Sequence, residues 1–197
     1  MATSLTLIER VGAGSHDAWC RFDSLYRPFI QNWFVRNGVD HHDSEELTQE
    51  VMSVVAKEVD RFDHSGKSGA FRNWLRQITH HRALGYWRKN KLRQQPIGGE
   101  DGLVQLASIE DPSEEAHRRW DREHDTFILK ALVHQIADEF SSTTIDAFWK
   151  VGFEGQSASE TAEQLGLSAG AVYIAKSRVL RRLREEAKGL VSEERLQ

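Results

Sequence analysis

The chain is poor in cysteine, in proline and in long apolar runs, and each shortage excludes a class of protein. A single cysteine, Cys20, leaves no intramolecular disulfide and no CxxC metal site, and suits a reducing cytoplasm. No apolar run approaches the ~20 residues of a membrane helix, so membrane insertion is not expected. The opening MATSLTLIERVGAG has neither a basic start nor a long apolar core and is not read as a signal peptide. Only three prolines occur, and the two later ones, Pro96 and Pro112, lie mid-chain, as in a helical protein with one break. No stretch alternates strictly over a strand length. Gly66-Lys-Ser68 lacks the upstream glycine and strand of a phosphate loop.

What is present is charge, unevenly distributed. The 197 residues are 28% charged, with a net charge of −4 that argues weakly against nucleic-acid binding until its distribution is seen. Residues 60–99 carry nine Lys/Arg against Asp60 and Asp63, and 100–125 carry nine acids against three arginines. Residues 170–188 carry six basic residues against Glu185 and Glu186. Two basic blocks flank an acidic one. The blocks suit phosphate contacts, and the acidic stretch cannot lie flat on DNA.

Helical periodicity dominates. Trp19, Phe22, Tyr26, Phe29 or Ile30, and Trp33 follow one helical face, ended near Gly38. Asp43 with Glu46 predicts a capping box opening a second helix, with Leu47, Val51, Val54, Val55 and Val59 as its buried stripe. Residues 63–69 read as a loop. A helix from about Ala70 turns Phe71, Trp74, Leu75 and Ile78 inward and continues, with a break near His80–His81, to about Leu92. The Pro- and Gly-bearing stretch from Gln94 to about Asp111 reads as a linker. Helical patterning returns from about Ser113.

The sharpest local signal lies at 157–185. Ser157 and Glu160 form a capping box, Gly166 stands where a left-handed C-terminal cap is wanted, and Ser168 caps a second helix from Ala169. Ala162 is small enough to let two helices approach, and Val172 anchors the second. The pattern predicts a helix-turn-helix. Its second helix sends Tyr173, Lys176, Ser177, Arg178, Arg181 and Arg182 outward, with Ser168 at its start, to read base edges and hold phosphates. The competing reading is a plain helical hairpin with a solvated basic face.

Between Phe62 and Arg93 aromatics and cations alternate, as in surfaces that stack unpaired bases and follow a backbone. Tyr86 and Trp87 are adjacent, so at most one faces inward. The pairs His41–His42 and His80–His81 lack an HExxH or a cysteine partner and are taken as solvated or DNA-facing rather than metal ligands. Cys20 is read as a small core residue rather than a nucleophile.

These motifs resemble a family. Asp43-Ser-Glu-Glu46-Leu-Thr-Gln-Glu-Val-Met52 and Phe71-Arg-Asn-Trp-Leu-Arg-Gln-Ile78 are similar to domain two of bacterial RNA polymerase sigma factors of the extracytoplasmic-function type. Gly170-Ala-Val172, Arg178 and Arg182-Leu-Arg-Glu185 are similar to the recognition helix of domain four. The resemblance covers about 15–92 and 130–188. It implies an all-α fold of two small helical domains joined by a flexible acidic linker, with domain two at 1–93, the linker at 94–125, domain four at 126–190 and a tail at 191–197. It further implies a cytoplasmic, non-catalytic specificity subunit without metal or cofactor, monomeric when free. Asp43, Glu46, Gln49 and Glu50 would dock on the coiled coil of the largest subunit of core RNA polymerase. Arg72, His80, His81, Arg82, Tyr86, Trp87, Arg88, Lys89 and Lys91 would capture the melted −10 element. Ser168, Tyr173, Lys176, Ser177, Arg178, Arg181 and Arg182 would read the −35 duplex on the polymerase flap. The family often has an anti-sigma factor as a further partner. His81 replaces a common Asn, and Tyr173, Ala175 and Lys176 stand where Lys, Arg and Leu are common, so the family's base preferences do not carry over.

Two other functions compete. One is a helix-turn-helix repressor or activator acting without polymerase. The other is a nucleic-acid enzyme using Asp43, Glu46 and Glu50 as metal carboxylates, which lacks a second carboxylate cluster to complete a two-metal site.

Overall fold

The computed structural model describes residues 6–62, 69–93 and 113–192, with the backbone alone for 90–93. Every element among them is helical. They are α1 (Leu7–Gly12), α2 (His16–Arg36), α3 (His41–Glu58) with a 3-10 turn at Val59–Arg61, α4 (Ala70–Arg93), α5 (Glu114–Ile136) with a 3-10 turn at Ala137–Glu139, α6 (Ser142–Gly152), α7 (Ala158–Leu165) and α8 (Ala169–Glu186). The chain divides into two compact units, Met1–Ile128 and Leu129–Gln197. The all-α, two-unit reading of the sequence holds. The expected loop at 63–69 lies, except for Gly69, outside the described residues, as do the linker up to 112 and the tail from 193.

The first unit is built on aromatic rings. The periodic face of α2 buries Phe22, Tyr26, Phe29, Ile30 and Trp33, together with Leu25 and Phe34. Phe22 stacks on Tyr26 with centroids 4.4 Å apart, and Phe71 of α4 meets Tyr26 edge-on at 5.6 Å. Each such side chain contributes roughly 1.5–3 kcal/mol by leaving water. From α3, Leu47, Val51, Met52 and Val55 close the same core. Cys20 is exposed, not in the core, because it falls on the outer side of α2.

Two boundaries differ from expectation. The N-cap of α3 is Asp40, not Asp43: its carboxylate accepts the Asp43 amide at 3.0 Å, which holds Asp40 below the usual carboxylate range. The helix at 70–93 runs unbroken through His80–His81.

A third difference concerns the linker assigned to 94–125. From Glu114 onward this stretch is helix, and it belongs to the first unit. Trp120, His124 and Asp125 are buried. The indole of Trp120 meets Phe29 at 5.1 Å and Trp33 at 5.3 Å. That boundary came with the family resemblance; helical periodicity had helix return from about Ser113, which is where the structure has it.

The second unit packs small residues. Ala147, Ala158, Ala162, Val172 and Ala175 form a tight cluster between α6, α7 and α8, flanked by Val151, Leu165 and Leu167. Alanines at these positions let the helix backbones come close, which fixes the direction of α8. Leu132, Val133, Ile136, Phe148, Val179 and Leu183 complete the core of the unit.

Candidate functional site

In the second unit the candidate site is the outer face of α8, set by local chemistry. Ser157 Oγ accepts the Glu160 amide at 3.2 Å, and the Glu160 carboxylate accepts the Ser157 amide at 2.8 Å. That hydrogen bonding holds Glu160 below the usual carboxylate range. Gly166 ends α7 at φ +65°, a left-handed conformation that side chains resist. Ser168 Oγ then accepts the Ala171 amide at 3.1 Å and starts α8. With Val172, Ala175, Val179 and Leu183 turned inward, the exposed face carries Tyr173, Ile174, Ser177, Arg178 and Arg181, and Lys176 is half-buried. The Arg178 guanidinium lies 6.0 Å from the centre of the Phe140 ring.

Arg182 departs from the expected set. Its guanidinium donates to both oxygens of Glu139, at 2.7 and 3.0 Å, and also meets Glu186, with Glu185 at 3.6 Å. The Glu139 hydrogen bond raises its pKa above the ordinary arginine value. Three carboxylates neutralise this cation, so Arg182 joins the 3-10 turn to α8 instead of facing a phosphate. Ser168 likewise has its oxygen engaged as a cap, although the hydroxyl proton stays available to donate.

In the first unit, α4 has two faces of opposite character. The inner one carries Arg72, Arg76, Thr79, His80 and Ala83. Arg72, only 9% exposed, donates to both oxygens of Asp121 at 2.6 and 3.1 Å and to Asp125 at 2.9 Å. Asp125 also meets His124 Nδ1 at 2.9 Å. Burial outweighs that carboxylate and holds the His124 pKa down, so the ring is neutral. Burial also raises Tyr26 above its ordinary value and depresses Arg76. His80 stacks on Trp33 at 4.8 Å and meets Trp120 at 5.6 Å. Arg72 and His80, both expected at the −10 strand, are therefore framework residues. The sequence misled because their partners on α5 lie some forty to fifty positions away.

The outer face of α4 carries Asn73, Gln77, His81, Gly85, Arg88 and Lys89, all exposed. Asn73, Gln77 and His81 follow at four-residue intervals, one stripe of a helix. The sequence reading did not single out Asn73 and Gln77, although the spacing back from His81 places them on its stripe. Tyr86 and Trp87 are both half-buried, their rings edge-to-face at 5.3 Å, so neither presents a fully open ring. The side chain of Lys91 lies outside the described residues.

On α3, Glu46, Gln49 and Glu50 are exposed on the side away from Leu47, Val51 and Val55, and Asp43 is half-buried. Gln49 Oε1 accepts from Arg27 Nη1 at 3.0 Å, with Arg27 itself held by Asp23. Glu50 pairs with Arg82 of α4 at 3.4 Å, and Glu46 faces His42 at 3.6 Å. These exposed pairs orient the side chains and add little stability. Among the described residues no three His, Cys, Asp or Glu side chains gather as a metal ion would require, and no helix is long and apolar enough to cross a membrane.

Residues 24–93, from the middle of α2 to the end of α4, match the family model described as Sigma-70 region 2. No curated protein matches the chain.

Proposed function

We propose that the protein is a sigma factor of the extracytoplasmic-function type, a non-catalytic subunit that binds core RNA polymerase and directs it to promoters by reading two DNA elements. The observation that carries this is the Sigma-70 region 2 match over 24–93, which coincides with α2–α4 and with the polar faces just described. The exposed carboxamide and carboxylates of α3, Glu46, Gln49 and Glu50, with Asp43 beside them, form the polymerase-docking face on the largest-subunit coiled coil. The −10 strand is captured by the outer face of α4: Asn73, Gln77, His81, Arg88 and Lys89, with Arg82 and the rings of Tyr86 and Trp87 at its margin. Exposed amides and imidazole offer donors and acceptors to unpaired base edges, and the cations follow the backbone.

In the second unit, α7, the Gly166 turn and α8 act as a helix-turn-helix. Its −35 contacts come from Tyr173, Lys176, Ser177, Arg178 and Arg181. The caps at Ser157 and Ser168 support this geometry, and the exposed arginines supply phosphate contacts. The protein works in the cytoplasm as a monomer until polymerase takes it up. An anti-sigma factor would act by covering the α3 or α8 faces.

The test is run-off transcription with core polymerase from the same organism and a genomic fragment library. Added protein is expected to start transcription at sites that core alone ignores. Tight duplex binding by the protein alone, with no gain in transcription on any fragment, would instead make it an ordinary helix-turn-helix regulator. Replacing Gln49 and Glu50 by Ala is expected to weaken capture by core polymerase and leave helicity unchanged. Undiminished capture would remove α3 from the docking face.

A further inference from the structure

The two most exposed large apolar side chains among the described residues are neighbours on α8: Tyr173 at 62% and Ile174 at 63%. A lone exposed apolar residue needs no explanation. These two occupy the second turn of the helix, in the part that meets base edges when such a helix enters the major groove. Ile174, Arg178 and Arg181 lie four and seven positions apart, on one stripe. With Tyr173 and Ser177 they line a shallow groove of about 260 Å³. Phe140 lies within cation–π distance of Arg178. The groove thus offers cations at one end and apolar surface at the other. Its ligand must carry negative charge and also present a small apolar group.

Duplex DNA meets both demands only at thymine, whose 5-methyl group projects into the major groove between phosphate rows. We infer that Ile174, with Tyr173 beside it, packs on the 5-methyl group of one thymine in the −35 duplex and selects that base. The inference rests on the helix-turn-helix reading of α7 and α8 and adds to it a residue that charge patterning does not pick out.

The experiment uses holoenzyme made from the full chain and core polymerase, bound to a promoter fragment recovered by the transcription assay. Each thymine of the −35 region is replaced in turn by deoxyuridine, which lacks only the methyl group. One replacement is expected to weaken binding about fourfold, the effect of one buried methyl. Ile174→Ala holoenzyme is expected to be indifferent to that replacement, and Ile174→Val to keep most of the sensitivity. Alanine at an exposed helical position preserves the helix, and unchanged circular dichroism checks this. A flat scan with wild-type protein, or equal sensitivity in wild type and Ile174→Ala, overturns the inference. So does an Ile174→Ala defect in binding core polymerase without DNA, which would make the face a protein contact. Arg178→Ala with Arg181→Ala separates the two levels. If that double variant binds promoters normally, the DNA-reading role of α8 fails. If it loses binding while the deoxyuridine scan stays flat, only the Ile174 assignment fails.

Discussion

The two units each hold an arginine that looks in sequence like a DNA contact and is in fact clasped by carboxylates, but they use it differently. Arg72 is buried among aromatic rings and satisfied by Asp121 and Asp125. Arg182 is partly exposed and tied to Glu139 and Glu186 at the rim of a core made largely of alanine and valine. In the first unit a buried charge is part of the interior, and its removal strands two carboxylates. In the second, the interior is set by small side chains and caps, and the charge only ties a turn. The cations proposed for nucleic acid differ accordingly. On α4 they follow a polar stripe facing away from the buried arginine, and on α8 they share a stripe with exposed apolar side chains.

The contrast is sharpened most by Arg72→Ala. An uncompensated buried pair costs about 3–5 kcal/mol, so urea unfolding followed by tryptophan fluorescence should show a large fall in the stability of the first unit. A loss below about 1 kcal/mol would mean that Asp121 and Asp125 are solvated and the interior charge is incidental. The corresponding weak point of the second unit is Gly166. Its position leaves open space for a Cβ, so Gly166→Ala costs only the left-handed backbone, about 1–2 kcal/mol by thermal denaturation.

His124 gives the first unit a pH dependence. Its folded pKa lies below the unfolded value of about 6.5. Below that pH the unfolded chain binds the proton more readily, so this stability is fully present above about pH 6.5 and is lost as pH falls through it. The slope cannot exceed about 1.4 kcal/mol per pH unit for one group. His124→Gln should flatten that part of the urea-midpoint profile, and an unchanged slope would assign it elsewhere. The smallest effect is expected for Arg182→Ala, at most about 1 kcal/mol for a largely surface network. Promoter affinity should change far less than in Arg178→Ala with Arg181→Ala. A matching loss of affinity would restore Arg182 to the DNA face.

What the sequence revealed follows from the range of the forces involved. The turn at 157–168 was legible because its caps and its glycine act within four residues. The aromatic face of α2 was legible because one helical period carries it. The inner face of α4 was not, since Arg72 and His80 take their meaning from Asp121, Asp125 and Trp120 across a long separation. The start of α5 was legible near Ser113, but its place in the first unit was not, since Trp120 packs on Phe29 and Trp33 far away in the chain. The cap of α3 was misplaced by three residues because Asp40 and Asp43 both precede an apolar run, and nothing local tells which amide each carboxylate will accept. Ile174 was passed over because side chains that carry charge or a hydrogen-bonding group were sought on α8.

The central claim is that the two units read two separated DNA elements while polymerase holds both. It is tested most directly by lengthening the DNA between the protected −10 and −35 regions of a responsive promoter by about five base pairs, half a helical turn. Run-off transcription by the holoenzyme should collapse, and lengthening by about ten base pairs should not restore it fully, since the distance also changes. Undiminished transcription across these insertions would contradict a two-point reader and leave a single DNA contact to do the work.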